Sequence, residues 1–109
     1  LNIKTPLFAV IALLLSQSAL ADTAEATLTI KNHRFSPAEL SVPAGSKIKL
    51  TVNNQDATPE EFESHDLNRE KVIPGSSKAI IWIGPLKPGS YAFVGEYHEA
   101  TAKGRIIVK

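Results

Sequence analysis

Polar and apolar residues alternate along much of this chain, with the two-residue period of strands buried on one face. Ala26-Thr27-Leu28-Thr29-Ile30 shows it first, and Leu40 and Val42 repeat it before a turn at Pro43-Ala44-Gly45-Ser46. The clearest case follows: Ile48, Leu50 and Val52 point one way and Lys47, Lys49 and Thr51 the other, until Asn53-Asn54-Gln55-Asp56 ends the strand with turn-forming side chains. After another turn, Pro74-Gly75-Ser76-Ser77, the run Ala79-Ile80-Ile81-Trp82-Ile83 is apolar throughout. It predicts a strand covered on both sides, with Trp82 in the core. Lys87-Pro88-Gly89 leads into Tyr91-Ala92-Phe93, where Tyr91 is also assigned to the core, and Gly104-Arg105-Ile106-Ile107-Val108 closes the pattern. Between these, Ala57 to Lys71 is polar and acidic, with Phe62 and Leu67 as its large apolar side chains, and reads as mainly loop. Short strands separated by Pro/Gly turns, without an amphipathic helix, predict one all-β domain folded as an antiparallel β-sandwich.

The first 21 residues break the pattern. One basic residue, Lys4, precedes an apolar run from Pro6 through Leu15, a polar Ser16-Gln17-Ser18 and the small-residue site Ala19-Leu20-Ala21. That is the layout of a cleaved secretory signal peptide, 1–21, followed by a domain at 22–109 in an exported, periplasmic protein. The apolar run is too short for a bilayer anchor, and no membrane span is expected in the mature chain. The remaining 88 residues carry 11 basic and 11 acidic side chains and no cysteine. The balance argues against a nucleic-acid partner, and without disulfides stability rests on sheet packing, or partly on a bound ion.

The acidic residues are segregated. Glu60, Glu61, Glu63, Asp66 and Glu70 fall in one stretch, Glu96 and Glu99 in another. If both stretches lie at one end of a sandwich, their carboxylates repel unless a cation, a proton or a basic side chain compensates them. Glu61 and Glu63 share one face of an extended segment while Phe62 points to the core. His98 supplies a nitrogen donor, with Glu96 two residues before it. Carboxylates with imidazole suit iron, manganese, zinc or cupric copper. Surface pairing with Arg69, Lys71 or Lys103 is the ordinary alternative. His65 reads as solvated or as an outer partner of the site, His33 as a turn residue or ligand, and Tyr97 as a cover for the site or a packing residue.

The ordered set Phe35-Ser36-Pro37, Val42-Pro43-Ala44-Gly45, Asn53-Asn54, Glu61-Phe62-Glu63, Leu86-Lys87-Pro88-Gly89-Ser90-Tyr91, Gly95-Glu96-Tyr97-His98 and Gly104-Arg105-Ile106 resembles the cupredoxin superfamily. Within it the chain looks most like EfeO-type cupredoxin-like domains and the small periplasmic cupredoxins that accompany Ftr-type iron permeases. The resemblance implies a Greek-key sandwich. It places a cupredoxin's first histidine ligand near Glu60 and Glu61, its cysteine at Gly95, its second histidine at His98 and its axial methionine near Ala102 or Lys103. Without cysteine or methionine, a type 1 blue-copper site and ordinary copper electron transfer are not expected.

The expected function is therefore binding of an iron or copper ion at Glu61, Glu63, Glu96 and His98, with Glu60 and Glu99 in reserve. The protein would serve a high-affinity iron-uptake system, with a partner permease and conceivable ferroxidase activity, although binding alone is favoured over catalysis. A metal-free periplasmic interaction module is the alternative.

Overall fold

The computed structural model describes residues 23–109. The signal peptide expected at 1–21 lies outside them.

Nine strands form in the described residues: β1 Thr23–Lys31, β2 Arg34–Ser36, β3 Glu39–Val42, β4 Lys47–Asn54, β5 Glu60–Ser64, β6 Arg69–Ile73, β7 Ser77–Ile83, β8 Gly89–Gly95 and β9 Lys103–Val108. A single 3-10 turn, Glu96–His98, joins the last two. The strands make two sheets, ordered β2-β1-β4-β7 and β3-β9-β8-β5-β6. The alternation read from the sequence is the device that builds the interior. Leu28 and Ile30 of β1, Ile48, Leu50 and Val52 of β4, and Ile106 and Val108 of β9 all face inward and are buried. Phe35, Phe62 and Phe93 meet at the centre, Phe62 stacked on Phe93 at 5.1 Å and Phe35 edge-on to Phe93 at 4.9 Å.

The sandwich forms as expected, with two parallel pairings in it. β1 pairs with β4 and β3 with β9 in parallel, while the remaining pairs are antiparallel. Two other expectations need correction. Ala57 to Lys71 is not mainly loop: it supplies β5 and most of β6, an antiparallel hairpin in which Glu61 faces Val72 and Glu63 faces Glu70. Its polar alternation belongs to a strand whose outer face is acidic, and Asn54 ties its base down by donating to the carbonyls of Thr58 and Ile73. Nor is β7 covered on both sides. Ile81 and Ile83 are buried, but Ile80 and Trp82 are 47% and 45% exposed, and the Lys47 ammonium lies 4.8 Å from the Trp82 ring centroid. Tyr91 packs against the core and donates its hydroxyl to the Lys87 carbonyl.

Candidate metal centre

Strand register explains how the acidic residues meet. On β5, Glu61 and Glu63 alternate with buried Phe62 and so stand on the outer face of the second sheet. β6 brings Glu70 opposite Glu63 on that face. On the other side of β5, Phe62 faces Gly95 of β8, and one further step of that antiparallel register carries Glu96 to Glu61. One carboxylate oxygen from each of Glu61, Glu63, Glu70 and Glu96 lies within 4.8 Å of the others.

Among the described residues no lysine or arginine pairs with this group, and the basic side chain beside it is His65, against Glu63. The ion pairs of those residues are His65 with Glu63 and His98 with Glu60. Arg69 spends its guanidinium on the carbonyls of Trp82, Leu67 and Asn68. Lys71 sits opposite Phe62, so it leaves the strand on the face away from Glu70. Lys103 is two strands away from Glu63, with Val94 between them. The carboxylates therefore compensate one another with protons. Hydrogen bonding to Glu96, then burial and the negative charges of Glu96, Glu70 and Glu63, pushes Glu61 up to about 7. Glu63 is likewise pushed up to about 7, first by hydrogen bonding to Glu96 and then by burial and the Glu96 and Glu70 carboxylates. Glu96 moves the other way, below its ordinary value, because Glu61 and Glu63 hydrogen-bond to its charged form. His65 Nε2 lies 3.2 Å from Glu63 Oε1 with its ring otherwise in solvent.

Of the four residues singled out from the sequence, the structure brings Glu61, Glu63 and Glu96 together, adds Glu70, and places His98 elsewhere. The 3-10 turn carries the chain from exposed Glu96 to half-buried His98 at the end of the sandwich. There His98 Nδ1 makes a 2.6 Å hydrogen bond with Oε2 of Glu60, which is 1% exposed. Glu60 and Glu61, being neighbours on one strand, point to opposite faces, so each belongs to a different group. His33 stacks on His98 with ring centroids 3.6 Å apart. Its turn is held by Asp56, which accepts hydrogen bonds from the backbone N–H groups of Asn32 and His33, at φ 53° and 57°. Glu70 is as acidic in sequence as its neighbours, but placing it requires knowing that it sits on a strand paired with β5.

The fold defines a class, the two-sheet β-sandwich, with a cup of side chains at the end where Glu60 of β5 meets His98 of the turn after β8. The chain belongs to the cupredoxin-like domain family, whose model matches residues 5–108. It is 49% identical over 84 residues to an uncharacterized protein of Rickettsia prowazekii (strain Madrid E), covering 77% of this chain and 67% of that one. Among solved structures it is similar to a purple cupredoxin from Nitrosopumilus maritimus, with a TM-score of 0.61, 20% identity, and 77% and 99% of the two chains covered. It is also similar to auracyanin A, a blue copper protein from Chloroflexus aurantiacus, with a TM-score of 0.69, 13% identity, and 81% and 100% covered. These likenesses concern the fold.

A blue-copper centre does not fit this chain's cup. The chain has no cysteine to supply the thiolate and no methionine. The position the resemblance gives to cysteine is Gly95, and a Cβ there would stand 2.7 Å from Glu60 Cδ and 2.7 Å from Ala102 Cβ. Carboxylate fills the cup. The oxygen donors available for an ion are on the outer face instead.

Proposed function

We infer that this protein binds a hard or borderline metal ion on the outer face of its second sheet, through Glu61, Glu63, Glu70 and Glu96. The observation carrying this reading is four carboxylates gathered within 4.8 Å with no lysine or arginine paired to them. An all-oxygen donor set favours ferric over ferrous iron and accepts cupric copper as a competitor, whereas cuprous copper prefers sulfur. In function the protein holds iron in the periplasm for a partner permease of an iron-uptake system, a role suggested by the Glu61-Phe62-Glu63 resemblance. Oxidation of ferrous iron is compatible with the same ligands, which stabilise the more highly charged ion.

Titration of the purified protein with ferrous, ferric and cupric ions, beside a Glu61→Gln/Glu63→Gln variant, tests the site. The double variant is expected to lose at least tenfold in affinity. Equal binding by the two proteins refutes the assignment.

A metal-free interaction module is the second reading, favoured by the outward Ile80 and Trp82 on edge strand β7. It requires that no ion alter the melting temperature.

A further inference from the structure

The cup that holds Glu60 is well organised. Glu60 is among the largest fully buried side chains of the molecule, and all its polar contacts are made inside it. Oε1 accepts hydrogen bonds from the backbone N–H of Glu61 at 3.0 Å and of Tyr97 at 2.9 Å. Oε2 is bonded to His98 Nδ1. No buried side-chain nitrogen or oxygen among the described residues is left without a partner. A buried carboxylate is tolerated only when it is satisfied in this way.

The space for it comes from Gly95. That residue has φ −91° and ψ 106°, an ordinary extended conformation that any residue adopts, so the glycine is not needed for the backbone. It is needed for room: a Cβ would lie 2.9 Å from Glu60 Oε2 as well as against Cδ. Ala102, buried and small, closes the other side and accepts the Gly95 N–H at its carbonyl. Glycine, alanine, glutamate and histidine thus form one mutually fitted set.

We propose that Glu60 does in this protein what a bound metal does in a cup of this shape: it cross-links β5 to the turn after β8 through His98, occupies His98 Nδ1 so that no metal ion binds at that nitrogen, and positions the outer carboxylates. The positioning follows from which backbone groups it holds. One is the N–H of Glu61, a member of the outer cluster, and the other is the N–H of Tyr97, the residue directly after Glu96. A single inner carboxylate therefore fixes the strand end that carries Glu61 and the 3-10 turn that carries Glu96. Gln at this position retains a carbonyl oxygen for both N–H groups and an amide for His98, which can accept from it in its other tautomer. Ala retains nothing.

The cross-link and the exclusion of metal from His98 Nδ1 stand without the outer site; the effect on affinity rests on the metal-binding reading above. The test uses Glu60→Gln, Glu60→Ala and His98→Gln with two readouts. The first is amide hydrogen exchange without metal. Glu60→Ala is expected to speed exchange at Glu61 and Tyr97 at least tenfold more than at the other amides of β5 and β8, while Glu60→Gln stays near the native protein. The second is electron paramagnetic resonance with cupric ion as the probe. In the otherwise native protein the nitrogen couplings are expected to be the same with and without His98→Gln, because Glu60 holds His98 Nδ1; Glu60→Ala frees that nitrogen and gains a coupling that His98→Gln removes. On the outer site, Glu60→Ala is expected to weaken binding about tenfold and Glu60→Gln to restore it.

A His98-dependent coupling in the native protein overturns the proposal, and that arm does not depend on whether Glu60→Ala folds. So does unchanged exchange at Glu61 and Tyr97 in Glu60→Ala. If the native protein takes up no ion while the exchange result is as expected, the metal-binding reading fails and the cross-link stands.

Discussion

At the scale of single residues, the outer carboxylates make the protein sensitive to pH in a direction set by their shifts. Glu61 and Glu63 are pushed from the ordinary 4.5 up to about 7 in the folded protein. The folded state therefore holds more protons than the unfolded chain between these values. The contribution of this pair to stability is complete below about 4.5 and is lost as the pH rises through about 7. In metal-free protein, Glu61→Gln/Glu63→Gln is expected to flatten the fall in melting temperature across that window; a slope identical to the native one contradicts the shared-proton arrangement. Asp56 works with the opposite sign. The backbone N–H of His33, and then that of Asn32, hold its carboxyl below the usual 3.8. Its contribution is present above that value and disappears as the pH falls through the lowered one. Replacing it by Ala removes two hydrogen bonds from a turn with two residues at positive φ, which costs about 1–3 kcal/mol by denaturant unfolding. His33 would lose its seat against His98 in the same variant.

At the scale of elements, the inner and outer faces of the strands carry different consequences. Phe62 and Phe93 are both buried and stacked, so truncating either to Ala is expected to cost about 3–5 kcal/mol. Trp82→Lys on the exposed face of β7 is expected to change stability by about 0.5 kcal/mol or less. Urea unfolding of the three variants checks the ordering, and a Trp82 variant as damaged as Phe62→Ala contradicts the exposed placement. The alternation that marks Ile48, Leu50 and Val52 was plain in the sequence, because one face of β4 meets only apolar neighbours. Trp82 lies on the solvent face against the expectation because an aromatic there looks in sequence like one in a core, and what supports it is Lys47, far away along the chain. The β5–β6 hairpin was missed for the converse reason: an outer face of Glu61, Glu63 and Glu70 leaves few apolar residues to mark a strand. Glu61 and Glu63 flanking inward Phe62 were legible because a two-residue period needs no tertiary knowledge. His98 was not, since a 3-10 turn after Gly95 rotates the chain by an amount that composition does not encode, and so the pairing of His98 with Glu60 is visible only in the folded chain.

At the scale of the whole molecule, the sandwich keeps its acidic groups apart by using the two faces of one strand. Glu60 turns inward, where backbone N–H groups and His98 satisfy it, and needs no ion. Glu61 and Glu63 turn outward into a group whose basic neighbour is the solvent-exposed His65, with no lysine or arginine paired to it among the described residues, and protons or a cation relieve their remaining repulsion. A cation that binds the folded arrangement and not the unfolded chain must stabilise the fold, by about 2.7 kcal/mol when the free ion is at about 100 times its Kd. Because binding displaces the protons held by Glu61 and Glu63, the rise in melting temperature should be small at a pH near the ordinary carboxylate value of 4.5 and grow as the pH passes about 7. This is the pH range in which the metal-free protein is losing stability from the same residues, so metal-free and metal-loaded curves should diverge as the pH rises. Differential scanning calorimetry with cupric ion on either side of that window measures the divergence directly. Parallel curves would mean that the ion does not displace these protons, and hence that it binds away from Glu61, Glu63, Glu70 and Glu96.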